Sequence, residues 1–132
     1  MSSFLSPLLG ATSARLALVE TTSGTVVARQ LLPALDSATR RTGLLKHTSL
    51  PEGTAMVLAP TNAIHTWFMK FDIDVIFVAR DGRVLKVRHA LRPWRMAAAL
   101  RGFAVVELAA GTLARLGVSP GGTLALIARE TA

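Results

Sequence analysis

Four residues of this chain set reactive side chains in strongly apolar surroundings: His65, Asp72, Asp74 and Glu107. Three of them fall in Ile64 to Val78, IHTWFMKFDIDVIFV, whose bulk and β-branching suit the centre of a sheet. A polar group buried there costs free energy unless it finds a partner, so its presence needs a structural or chemical reason. Histidine ordinarily titrates near ~6.5, so a His at position 65 could serve as acid or base at a pocket edge. The commoner role is a core histidine bonded to backbone or to a carboxylate. On an extended chain Asp72 and Asp74 would stand about 7 Å apart on one face, where they could hold a divalent cation or raise each other's pKa. The plainer reading has Asp72 turning the chain in solvent and Asp74 accepting bonds from nearby amides. Glu107, inside FAVVELAA, is expected to be buried against an arginine, a pairing that is commonly architectural.

Several chemistries are excluded. The chain has no cysteine, so it forms no disulfide, thiolate nucleophile or cysteine-ligated zinc site. His47, His65 and His89 lack metal-ligand spacing, and the G-x-S-x-G, P-loop and dinucleotide signatures are missing; no metal or cofactor is implied. Fifteen basic residues against eight acidic ones give a net charge of +7. Seven of the basic residues lie between Arg80 and Arg101, with only Asp81 to offset them. That bias suits solubility, or attraction to phosphate-rich and anionic partners. Trp94 beside Arg95 could stack on a base or sugar, although an aromatic cap over a barrel end is commoner. With no tyrosine, and few exposed aromatics expected, no stacking platform for single strands is legible.

The elements that must position these groups are mostly short strands. A chain of 132 residues suits one domain. Residues 1–13 read as a flexible leader without the basic start of a signal peptide, and residues 14–132 as a single β-rich unit. No stretch reaches the roughly 20 apolar residues of a membrane span. Strands are expected at Arg15 to Glu20 and Thr25 to Gln30, joined by a hairpin at Gly24. Others are expected at Ala55 to Ala59, Ile64 to Phe71, Ile73 to Arg80, Val84 to Leu91, Phe103 to Ala109 and Thr123 to Arg129. Alternation along Ile64 to Phe71 would put His65, Trp67, Met69 and Phe71 on one face. Asp36 should cap a helix over Ser37 to Leu45. The alanine-rich Trp94 to Arg101 reads as a second short helix stopped by Gly102, and Thr112 to Leu116 as a helical turn. Asp81-Gly82 suits a two-residue type I′ hairpin loop. Together these predict a mainly β (β-rich α+β) fold, a compact barrel-like sheet of about seven or eight short strands with two or three short helices.

The segment IHTWFMKFDIDVIFVARDGRV resembles one found in a bacterial and archaeal family, domain of unknown function 192. The match lies in its histidine-threonine, aromatic-methionine and Ile-Asp-Val positions and in the hairpin that follows. Arg40, Gly43 and Leu44 fit that family's early R-x-x-G-L pattern, and ALRPW, VVELAAG and LGVSPGG follow in the family's order, so the resemblance covers Leu32 to Ile127. There are departures. Thr61 stands where close relatives tend to carry cysteine, which bars any thiol chemistry here. Asp72 replaces a common proline, Gly122 a common acid and Thr42 a common basic residue. The resemblance implies a barrel-like β domain with no established activity, and it carries over His65, Thr66, Met69, Asp74 and Glu107 as motif residues.

Three functions follow as expectations. The favoured one is a non-catalytic module that binds an anionic small ligand or a protein partner near His65, with Arg40, Trp94 and Arg95 as further candidates. The alternative is an enzyme using His65 as general base, oriented by Asp74 or Glu107. The third is nucleic-acid binding through the basic 83–101 segment. A cytoplasmic location is expected.

Overall fold

Short runs of β-branched and apolar residues, punctuated by turn chemistry, set down ten strands and three helices of four to six residues among the described residues. The computed structural model describes residues 3–10, 15–44 and 47–129. The elements are α1 (Pro7–Gly10), β1 (Leu16–Glu20), β2 (Thr25–Ala28), β3 (Gln30–Ala34), α2 (Ser37–Thr42), β4 (Thr54–Leu58) and β5 (Ala63–His65). They continue with β6 (Ile73–Val78), β7 (Val84–Leu91), β8 (Met96–Ala98), β9 (Ala104–Ala109), α3 (Thr112–Leu116) and β10 (Leu124–Ala128).

The strands form a five-stranded sheet ordered β3-β4-β9-β6-β7, a three-stranded sheet ordered β10-β1-β2, and a β5-β8 ribbon. Every pairing is antiparallel except β3 with β4. A parallel pair needs a crossover, and α2 lies on it. The sheets do not close into one continuous barrel. Two seams join the larger pair: the chain bends from β2 into β3, with the Arg29 and Gln30 amides both donating to the Gly53 carbonyl, and a single bridge links Arg83 to Thr123. Barrel-like describes this only loosely.

Period-two alternation sorts the central strands between two cores. Ala55, Val57, Ile76, Val78, Val106 and Leu108 face one core together with β1, β2 and α3 residues. Met56, Leu58, Ile73, Val75, Phe77 and Val105 face the other, together with Leu44, Ile64, Met69 and Ala97. Part of the expected leader lies on the first core: Leu5 is buried in it, Phe4 and Leu8 pack against it, and the Phe4 amide donates to the Arg80 carbonyl. Residues 1, 2 and 11–13 lie outside the described residues.

Three expected elements differ. The strand expected over Ile64 to Phe71 is only β5; the chain turns at Trp67 and Phe68, with Phe68 in the left-handed region at φ 67°. Trp94 to Arg101 is not a helix but holds β8, because pairing with β5 satisfies its amides and overrides alanine's helix propensity. Beyond Gln30, β3 lay outside the expected strands, and it carries Pro33. The proline is tolerated on an edge strand, where the missing N–H breaks no ladder. Helix α2 ends at Thr42, and Leu45 lies outside the described residues.

The β6–β7 loop also departs from type I′. Only Gly82 has a positive φ, 96°, and its amide donates to Ala79 while the Ala79 amide donates to Arg83, which is a type I turn closed by a glycine bulge. A Cβ on Gly82 would collide with the Leu124 carbonyl oxygen at the seam. Gly82→Ala is therefore expected to lower stability by about 2 kcal/mol, read as a fall in urea midpoint at constant slope. An unchanged midpoint would show that the seam gives way freely.

Candidate functional site

The β5-β8 ribbon is the element that places His65. Ile64 and Ala97 bury one side of it, while His65 and its opposite residue Met96 face out. Thr66 extends the pairing past the strand ends. Its amide donates to Arg95 O at 2.8 Å, its carbonyl accepts from Trp94 N at 3.0 Å, and its hydroxyl donates to Arg92 O and accepts from Arg95 N. Thr66 is fully buried, so it acts as a clamp on the 92–95 segment.

Beneath the ribbon lies a cleft of about 250 Å³ whose lining includes Arg40, Leu44, Leu58, Thr61, Ile64, His65, Met69 and Glu107. Arg40 is set by α2, whose start is held by Asp36 accepting from the Thr39 amide at 2.7 Å. That bond, with the Thr39 hydroxyl, keeps the Asp36 carboxyl below its usual range. One guanidinium nitrogen of Arg40 donates to Leu35 O and Ala59 O, both at 2.9 Å. Its other N–H groups meet no acceptor among the described residues.

Glu107 is the chemically distinctive group. It sits in the middle strand β9, and its cross-strand neighbours are Met56 on β4 and Val75 on β6, both apolar. Only 4% of it is exposed, and among the described residues no hydrogen bond or ion pair reaches its carboxyl. The expected arginine partner is not there. Burial without compensation pushes its pKa up to about 7.

Asp74 and Glu107 lie on opposite faces of the sheet, because Asp74 is opposite Leu108 while Glu107 is opposite Val75. Asp74 is fully buried, with one carboxylate oxygen accepting from Ala90 N at 2.8 Å and the other from Leu113 N at 2.9 Å. It is not on the cleft. Asp72 is exposed, so the two aspartates do not share a site.

The structure thus brings together Arg40, His65, Met69 and Glu107, and leaves out Thr66, Asp74, Trp94 and Arg95. His65 is exposed, with its ring 4.9 Å from that of Trp67, and is not a core histidine. Sequence reasoning missed Ser37, Leu58 and Ile64 as cleft residues, and it underestimated the exposed aromatics. Trp67, Phe68 and Trp94 all stand in solvent. Among the described residues no three His, Cys, Asp or Glu side chains are grouped to hold a metal. No helix among them is long and apolar enough to cross a membrane.

The sequence profile of the family described as DUF192, uncharacterized ACR, matches residues 18–126, which bears out the resemblance. Among solved structures the chain is similar to a Sinorhizobium meliloti 1021 protein named provisionally as a transcription regulator, with TM-score 0.73 and 25% identity over 83% of this chain and 90% of that one. It is also similar to a protein of unknown function from Novosphingobium aromaticivorans DSM 12444, with TM-score 0.72 and 28% identity over 83% of this chain and 82% of that one. A search of curated proteins finds no match.

Proposed function

This chain belongs to the domain of unknown function 192 family, and we propose that it is a non-catalytic module that binds a small anionic ligand in the cleft beside His65. The observation that carries this reading is the partnerless Glu107 carboxyl, opening on a cleft that also holds the Arg40 guanidinium. The carboxyl reaches the cleft without a protein partner, so a ligand there can supply the hydrogen bond that the fold does not. Near neutral pH a carboxyl titrating at about 7 is part protonated and offers an O–H donor. Arg40 offers charge and fixed N–H donors. Leu44, Leu58, Ile64 and Met69 suit a short apolar remainder. The cleft is slightly smaller than the roughly 300–1,000 Å³ of most ligand pockets, which favours a compact ligand.

The general-base alternative is less well supported. Both oxygens of Asp74 are engaged on the far face, and no hydrogen bond joins His65 to Glu107. Titration calorimetry with butyrate, pyruvate and inorganic phosphate tests the binding reading. At least one should bind, and its affinity should fall about tenfold from pH 6 to pH 8 as Glu107 loses its proton. Arg40→Lys should weaken it by a similar factor while the circular dichroism spectrum stays native. Binding that ignores both pH and Arg40, or no heat from any of the three, would count against this assignment.

A further inference from the structure

The outward face of the β5-β8 ribbon is a second surface, which meets the cleft only at His65. Trp67, Phe68, Trp94 and Met96 are 42%, 67%, 56% and 66% exposed. They flank the Thr66 clamp at one end of the ribbon. The Phe68 and Trp94 rings are 4.6 Å apart, Trp67 lies against His65, and Met96 is paired opposite His65. Phe68 and Trp94 both hold left-handed backbone, at φ 67° and 65°. Bulky residues are strained in that region, and such strain persists only where the surroundings enforce it. Here the Thr66 clamp enforces it, and the outcome is two large apolar rings turned out together into water.

The rim of this cluster is cationic. Lys70, Arg92 and Arg95 are exposed within two residues of Phe68 or Trp94 in the chain, and among the described residues the side chains of Lys70 and Arg92 make no hydrogen bond or ion pair. From residue 82 to residue 106 the chain has no acid at all, and Asp72 is the one exposed acid between residues 63 and 80. An apolar, tryptophan-containing tip ringed by Lys and Arg matches the chemistry of an anionic bilayer, where rings enter the interface and cations meet headgroup phosphates. Stacked nucleic-acid bases fit it less well. The Phe68 and Trp94 planes tilt by 59°, so they do not present parallel platforms, and Met96 has no ring face.

We propose that this ribbon face docks the protein peripherally on an anionic lipid surface. The chain's two tryptophans are both in the cluster, so intrinsic fluorescence reads this face alone. Mixed phosphatidylglycerol–phosphatidylcholine vesicles should shift the emission to the blue, and brominated acyl chains should quench it. Phosphatidylcholine alone should do neither. Lys70→Gln with Arg92→Gln should lower vesicle partitioning about 30-fold, from about 1 kcal/mol for each basic residue at the surface. Phe68→Asn with Met96→Gln should abolish quenching without lowering the melting temperature, since asparagine tolerates the left-handed region. Arg40→Lys should leave vesicle binding intact, which separates this surface from the cleft. Emission unchanged by anionic vesicles, an equal response to neutral ones, or a shift produced by oligothymidylate but not by lipid would overturn the assignment.

Discussion

Replacing Asp74 with alanine is expected to remove about 3 kcal/mol of stability, lowering the melting temperature by roughly 10 °C. Helix α3 has Gly111 at its N-cap, with no side chain to accept from its first amides. Asp74 supplies that acceptor from across the sheet, bonding Leu113 N in a fully buried setting. Its other oxygen accepts from Ala90 N, where β7 passes through φ 47°. Alanine would leave the Leu113 amide buried without a partner, which alone costs roughly 1–3 kcal/mol, and would free the strained residue on β7. Asp74→Asn keeps one acceptor oxygen but turns an amide toward a donor, so it should recover less than half of the loss. Urea unfolding of both variants reads this directly. A midpoint for Asp74→Ala within error of the parent would show that α3 docks by its apolar contacts alone.

Asp74 also marks the boundary of what local pattern reveals. That it accepts from neighbouring amides was legible, because a carboxylate in an apolar strand has few other fates. That it and Glu107 face opposite cores was not, since the face depends on how β6 and β9 align, and they are joined by a long connection. Strand β7 was legible end to end from its alternation and from the Asp-Gly turn before it. β8 was not, because MAAAL has strong helix propensity and its strand state depends on Thr66 and β5, about 30 residues away. The ordered motif set led to Arg40, His65, Met69 and Glu107, which the cleft does gather. The same motif carried Thr66 and Asp74, whose contacts are those of structural residues. The exposure of Phe68 had no sequence signal, since an aromatic residue inside an apolar run ordinarily points inward.

Two buried glutamates with opposite environments lead to the last expected result. Glu20 accepts from the amides of Thr22, Thr123 and Ser23 and from the Ser23 hydroxyl, and these bonds hold its pKa at about 2. Glu107 has none, and desolvation raises its pKa to about 7. The signs of the two stability effects follow. For Glu20 the folded value lies below the unfolded 4.5, so its contribution is present above about pH 4.5 and is lost as pH falls toward 2. For Glu107 the folded state keeps a proton that the unfolded chain has released, so stability falls as pH rises from about 4.5 to 7 and levels off above. Glu107→Gln removes only the second effect. The variant should match the parent near pH 4.5 and exceed it by about 3 kcal/mol at pH 8, near 10 °C in melting temperature. A gap that narrows with rising pH would mean that Glu107 is charged and partnered. If an anionic ligand is held by the protonated carboxyl, its binding at pH 8 should draw a proton from buffer onto Glu107, and calorimetry in two buffers of different ionisation enthalpy would reveal it.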